Sequence, residues 1–369
     1  MEGEEQGHTG AILSVAVSPS GKFVATGGAD RKLIFWDAAT LRPLKTFMQH
    51  RDAVSGLAFT RHISSMSSGE QLFSGSFDRT IKTWSLSSAG HAYVETLFGH
   101  QDNVSSVAAM TIDQCVSVGA RDRTARLWKV VDESQLVFRG GSSKGAQYHE
   151  NNIDCIAALP PAHFVTGSDS GAISLWSIHK KKPLYTIPLA HGLDPIPPLE
   201  ELSSERDLKT ARLNTRHLRP MPRWITALAT LPGTDVVLSG SWDGWIRAWQ
   251  ISEDKRSILR LGPVGGNDTQ QADPLIKGVV NDIAVFERRR QDGQQLQKPS
   301  TNGSSHSTGK QPTAGLCIVA ALGKEHRLGR WNCFANNLYT GPSSNGRNGG
   351  VVFEVPFSNA DSNSSGNLE

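Results

Sequence analysis

Along this chain, short stretches alternate apolar and polar residues, as in Ile12 to Val17 and Val54 to Phe59. A period of two is that of a β-strand with one covered face. Each such stretch is followed by a strand, a tight turn and a second strand that ends on tryptophan. The segments read TGGADRKLIFW, SGSFDRTIKTW, SVGARDRTARLW, TGSDSGAISLW, SGSWDGWIRAW and AALGKEHRLGRW. Their last residues, Trp36, Trp84, Trp128, Trp176, Trp249 and Trp331, are 48, 44, 48, 73 and 82 positions apart. Upstream of the first five stand His8, His50, His100, His149 and His191, each after a short outer strand. Four strands per unit are expected.

A period of about 45 residues with Gly-His and Trp landmarks is the signature of a WD40 β-propeller, one four-stranded blade per repeat. The expected fold is therefore all-β, a propeller over 8–357 with six blades readable. The length, 369 residues, would allow two or three domains by itself. The repeat turns that into one body with inserts at about 192–222, 288–313 and 340–350. The first insert is expected to hold a short helix between an outer and an inner strand. The second is Gly-, Ser- and Gln-rich, a composition too polar to order itself. Val351 to Phe357 reads as the last outer strand, and 1–7 and 358–369 as disordered tails.

Asp30, Asp78, Asp122 and Asp243 each lie six residues before a landmark tryptophan, in the turn between two strands. There a carboxylate can accept from the loop histidine, which meets a hydroxyl, which meets the indole N–H. His50, Ser74, Asp78 and Trp84 form one such set; His100, Asp122 and Trp128 belong to a second, and Ser239, Asp243 and Trp249 to a third. Thr26 supplies the hydroxyl of the first unit. Ser170 and Glu325 replace the aspartate in units four and six, and Val118 and Ala321 replace the hydroxyl in units three and six. The composition is Ser/His/Asp, but the role expected is to hold blades together, not catalysis.

Composition narrows the chemistry further. Lys+Arg 38 against Asp+Glu 35 leaves +3, so any basic surface is a local patch. Cys115, Cys155, Cys317 and Cys333 have no CxxC spacing and read as reduced buried thiols, neither a disulfide framework nor a zinc ribbon. The start, MEGEEQGHTG, is acidic where a secretory leader is basic, and no apolar run approaches the 18 residues of a membrane span. An intracellular, soluble protein is expected, with its N-x-S/T matches due to chance. Gly323-Lys324 lacks the rest of a phosphate loop. GSDSG at 167–171 has Asp where a nucleophile elbow needs Ser. No HExxH or paired-carboxylate spacing appears, and no cofactor, metal or small-molecule substrate is expected.

The residue just before each aspartate position faces one mouth of a propeller; here these are Ala29, Phe77, Arg121, Asp169, Trp242 and Lys324. Neighbours Arg31, Arg79, Arg123, His326, Arg327 and Arg330 complete a basic rim with aromatics. Such a rim suits RNA, with rings stacking on bases and cations on phosphates. The bland alternative is a set of ordinary exposed turn residues. Lys180-Lys181-Lys182 and Arg288-Arg289-Arg290 read as solvated loops or, at most, nuclear-import signals.

Several stretches resemble one WD40 family, the U3 small nucleolar RNA-interacting proteins of the small-subunit processome. They are HRDAVSGLAF from His50, VETLFGHQD from Val94, ESQLVF from Glu133, NIDCI from Asn152 and GKEHRLGRW from Gly323. The last departs from general WD40 text as the family does. The resemblance implies a non-catalytic subunit, nuclear and nucleolar, without membrane contact. It also implies binding to the box B/C region of U3 RNA beside a kink-turn-binding protein, other processome partners and a role in early pre-ribosomal RNA cleavage. It further implies seven blades after a charged extension; this chain reads as starting within the second. The competing reading is a general protein scaffold such as a ubiquitin-ligase substrate receptor. Against it, Trp36-Asp37-Ala38-Ala39 lacks the arginine of the W-D-x-R pattern. An enzyme is a distant third.

Overall fold

Strands with one apolar side need a partner sheet on that side, and the chain meets this need by stacking sheets in sequence order. The computed structural model describes residues 7–60, 69–87, 90–140, 147–196, 199, 203–205, 207–266, 275–288, 315–329 and 346–356. Blade 1 comprises β1 (Ile12–Val17), β2 (Phe23–Gly28), β3 (Leu33–Asp37) and β4 (Pro43–Phe47). Blade 2 comprises β5 (Val54–Phe59), β6 (Gly69–Ser76), β7 (Thr80–Ser87) and β8 (Gly90–Phe98). Blade 3 holds β9 (Val104–Thr111), β10 (Gln114–Gly119), β11 (Thr124–Lys129) and β12 (Ser134–Arg139). In blade 4 are β13 (Ile153–Leu159), β14 (His163–Ser168), β15 (Ile173–Ser177) and β16 (Tyr185–Ile187). An insert follows, with β17 (Leu193–Asp194), α1 (Leu208–Thr215) and β18 (Met221–Pro222). Blade 5 has β19 (Ala227–Thr230), β20 (Val236–Gly240), β21 (Ile246–Ile251) and β22 (Ile258–Pro263). Blade 6 has β23 (Val279–Arg288), β24 (Gly315–Gly323) and β25 (Gly349–Pro356). Every sheet is an antiparallel meander, and the inner strands β1, β5, β9, β13, β19 and β23 pack side by side in that order.

Neighbouring sheets converge toward the axis, and side-chain size follows the taper. Ala16, Ala58, Ala108, Ala157 and Ala229 occupy one matching register, each just after the residue paired with Thr26, Ser74, Ser117, Thr166 or Ser239. Farther out, the landmark tryptophans fill the wider space against the preceding blade. Trp84 packs with Phe35 and Phe47 of blade 1, and Trp249 with Val165 and Leu175 of blade 4. Inner strands are also tied by hydrogen bonds to the next blade. Ser55 donates to Val104 O, Ser105 to Ile153 O at 2.9 Å, and Thr226 to Val280 O at 2.6 Å. At the corresponding place in blade 4 the bulged residue is Asp154, and the adjacent Cys155 thiol makes the tie, donating to Ile225 O at 3.2 Å.

Among the described residues the packing that joins every other consecutive pair of inner strands is not repeated between β23 and β1. Both lips of this seam expose apolar side chains, Val15 (52%) and Val17 (59%) on one and Phe286 (49%) and Val352 (58%) on the other. Trp36, at the seam, is half-buried, whereas Trp84 is fully buried.

Blade 6 departs from the sequence reading. The strand expected last and outermost pairs directly with β24, in third place. Arg330, Trp331, Phe357 and the core of the 288–313 insert lie outside the described residues, as do most of the tails. Over residues 324–329 past β24 no strand pairs back on it. Asn281 donates to Glu325 O at 2.9 Å and accepts from Arg327 N at 2.8 Å, drawing that segment toward the axis. No helix among the described residues is long and apolar enough to cross a membrane.

The difference between the two tryptophans is measurable. Trp84→Ala should cost about 3–5 kcal/mol, as for other buried aromatic truncations, and Trp36→Ala clearly less. Urea unfolding of the two variants checks this; equal losses contradict the one-sided packing.

Candidate nucleic-acid interface

In an up-and-down meander, the turns after the second and fourth strands open on the same end of the sheet. One is the short turn carrying the aspartate, the other the loop carrying the histidine, so the two meet at one mouth. In blade 2, His50 Nδ1 lies 2.9 Å from Asp78 Oδ2 and its Nε2 lies 2.8 Å from Ser74 Oγ, which accepts from Trp84 Nε1 at 2.8 Å. Blade 1 repeats this through His8, Asp30, Thr26 and Trp36, with Trp36 Nε1 2.7 Å from Thr26 Oγ1. In blade 5, His191 Nδ1 is 2.9 Å from Asp243 Oδ1, and Ser239 Oγ is 2.8 Å from both His191 Nε2 and Trp249 Nε1.

Blade 3 corrects one expectation. The hydroxyl is not lost to Val118; Ser117 supplies it, at 2.8 Å from both His100 Nε2 and Trp128 Nε1. The turn holds one extra residue, so counting back from the tryptophan misses by one. His149 is a second correction. It is exposed and outside any such set, because blade 4 has Ser170 where the carboxylate should be. Ser170 Oγ instead meets Ser168 Oγ at 2.8 Å, while Thr166 alone takes the Trp176 N–H at 2.9 Å.

In blades 2 and 3 a neutral imidazole satisfies the whole set: the indole donates to the hydroxyl oxygen, the hydroxyl to Nε2, and Nδ1–H to the carboxylate. Burial pushes the pKa of His50 and His100 down, against the pull of Asp78 and Asp122. Burial alone would raise the Asp122 carboxyl, but the His100 contact and donors from Thr124 outweigh it and hold the pKa at about 2. Asp78 is lowered in the same way. Both kinds of group therefore bind protons less readily folded than unfolded, so stability is lost as pH falls below about 6.5. The melting temperature should drop between pH 7 and pH 5, and drop less in His100→Gln. A flat thermal profile over that range contradicts the neutral relay.

Around the relay, the mouth of blades 1–3 carries cations. Phe77 is half-buried, while Arg79, Arg121, Arg123 and Arg31 are exposed. Arg51, which the turn pattern does not single out because it follows the histidine, joins them. Arg31, Arg79 and Arg123 occupy the same turn position with φ of 66°, 69° and 54°; blades 4 and 5 have Gly171 and Gly244 there, at 73° and 86°. The left-handed region costs a non-glycine residue roughly 1–2 kcal/mol. Three arginines thus stand where glycine fits better. Arg79→Gly or Arg123→Gly should leave the melting temperature equal or higher while weakening any anion bound at the mouth. A large loss of stability in either variant contradicts the strain argument.

Other rim candidates sit elsewhere. Trp242 is 2% exposed; its Nε1 donates to Asp194 Oδ2 at 2.8 Å and its ring meets Trp224 edge-on, so it is not offered for stacking. The cause is the insert, whose Asp194 is also bound by Arg223 at 2.6 Å. His326 is 4% exposed. Arg327 turns into the axial channel, where its guanidinium donates to Ser55 O at 2.6 Å and Ser105 O at 3.1 Å, with Leu13 O at 3.4 Å. It spans from blade 6 to blades 1, 2 and 3. Lys324 is exposed, and Arg330 is outside the described residues. No cluster of three or more potential metal ligands occurs among the described residues.

Radial four-stranded sheets held by a Trp–hydroxyl–His–Asp relay define a WD40-repeat β-propeller. The WD domain, G-beta repeat family matches residues 3–37, 41–85, 92–129 and 215–250. The solved structure of U3-55K is 34% identical, with a TM-score of 0.67 over 96% of this chain and 83% of its own. Ribosomal RNA-processing protein 9 of Saccharomyces cerevisiae is 36% identical over 89% of this chain and 56% of its own length. U3 small nucleolar RNA-interacting protein 2 of Homo sapiens is 36% identical over 89% and 54%. A WD repeat-containing protein of Schizosaccharomyces pombe is 42% identical over 96% and 59%. The chain belongs to the family of U3 small nucleolar RNA-interacting WD40-repeat proteins. It spans between half and three-fifths of the length of these curated relatives.

Proposed function

We propose that this chain is a non-catalytic RNA-binding and assembly subunit of the U3 small nucleolar ribonucleoprotein, serving pre-ribosomal RNA processing and small-subunit biogenesis. The observation that carries the reading is the arc of exposed arginines over blades 1–3, three of them kept in strained backbone. Guanidinium groups that have no protein carboxylate to satisfy are suited to phosphates. The relatives' names support U3 RNA as the ligand. Its box B/C region, bound together with a kink-turn-binding protein and other processome proteins, is the finer form of the proposal, with a nuclear and nucleolar location.

The Ser, His and Asp sets argue against hydrolysis: Ser74, Ser117 and Ser239 each accept from a buried indole and lie buried against their histidine, so they are not offered to a substrate. A ubiquitin-ligase receptor or similar scaffold is the weaker reading, since the similar proteins are named for U3 RNA and ribosomal RNA processing.

The test is binding of a U3 RNA transcript by Arg79→Glu/Arg121→Glu/Arg123→Glu. Affinity should fall, and the log–log salt dependence should flatten by about 0.7–0.9 for each phosphate no longer neutralised. Unchanged binding by the folded variant removes the arc from the interface.

A further inference from the structure

The turns of blades 4 and 5 have Gly171 and Gly244 where blades 1–3 expose arginines, and Arg223 and Arg247 nearby are paired with Asp194 and Asp243; the structure gives the reason. The insert between β16 and β19 lies across their turns. Arg223 N donates to Gly192 O at 3.1 Å, and a Cβ on Gly171 would meet Arg223 O at 2.8 Å, so the blade 4 turn has no room for a side chain. Trp242 of the blade 5 turn is covered through Asp194. Tyr148, in the loop before blade 4, donates to Pro220 O at 2.8 Å, and β17 pairs with β18.

On this anchored base stands α1. Asp207 caps it by accepting from Lys209 N and Thr210 N, and Ala211 is the side chain it buries. The opposite, solvent-facing side therefore carries Lys209, Arg212, Leu213 and Arg216, and Arg219 follows in the return to β18; all five are exposed. Spacings of three and four stack like charges on one face, which destabilises a lone helix. A neighbouring polyanion relieves that repulsion. With cations outnumbering apolar residues on this face, phosphate is favoured over an apolar protein surface.

We propose that the insert is a second RNA-contacting surface, in which Lys209, Arg212, Arg216 and Arg219 carry the cationic mouth on over blades 4 and 5 and hold phosphates of the same RNA. This rests on the RNA reading above and assigns to the insert what the turns beneath it cannot supply. Because the anchoring contacts already order the segment, binding does not have to organise it.

The experiment measures the affinity of the full chain for a U3 RNA transcript across a salt series. Arg212→Glu/Arg216→Glu/Arg219→Glu should bind at least tenfold more weakly, with the salt slope flatter by about 0.7–0.9 for each phosphate released from the helix. The matching Lys substitutions should retain most of the binding, since a point charge suffices for phosphate. The side chains are exposed, and thermal unfolding confirms that the variants are folded. Wild-type affinity and slope in the folded Glu variant overturn the proposal. If Arg79→Glu/Arg121→Glu/Arg123→Glu loses binding in the same series, only the insert assignment falls; if neither set loses it, the RNA reading falls too. Normal RNA binding together with loss of an acidic protein from the particle also overturns it.

Discussion

The rest of this structure hangs on a directional hydrogen-bond relay buried between sheets. A tryptophan N–H, a hydroxyl, a neutral imidazole and a carboxylate can satisfy one another in one order only. An unsatisfied member would cost the desolvation of a buried polar group, so the relay fixes where the histidine loop and the aspartate turn sit. Those two segments form the mouth. In blades 1, 2 and 3 the arginines that project there stand beside a device whose own side chains are turned inside.

That division of labour separates structure from function within a few residues. Asp78, Asp122 and Asp243 are spent on the relay, while Arg79, Arg121 and Arg123 beside them are left to solvent. The left-handed arginines take the position where blades 4 and 5 use glycine, at a cost the fold could have avoided. Strain of this kind at an exposed, charged position is the observation on which the proposed binding surface rests. Where the insert crosses the turns, the need is different: Gly171 yields space and Trp242 becomes packing.

Ring geometry is set by shorter contacts nearer the axis. Alanines let the inner strands approach, and Ser55, Ser105, Cys155 and Thr226 each tie one blade to the next through a backbone carbonyl. In blade 4 the tie comes from the thiol of Cys155, next to the bulged Asp154. At the seam between blades 6 and 1 the described residues show no comparable strand packing and no such tie. Arg327 spans the channel instead, bonded to carbonyls of three inner strands, and so is withdrawn from the rim.

Periodicity alone determined the fold class and the relay, because both depend on spacing along one chain: a two-residue alternation within strands and an aspartate six residues before four of the landmark tryptophans. Counting failed where a turn gained a residue, as at Ser117, and where a landmark lost its partner, as at His149. The candidate site was legible only in part. Arg79, Arg121 and Arg123 sit in turns whose direction is local, so sequence placed them at the mouth. Trp242, His326 and Arg327 could be placed only by tertiary structure, since what covers them comes from an insert about 50 residues earlier in the chain or from strands of distant blades. Burial is decided by such long-range neighbours, and no spacing rule contains them.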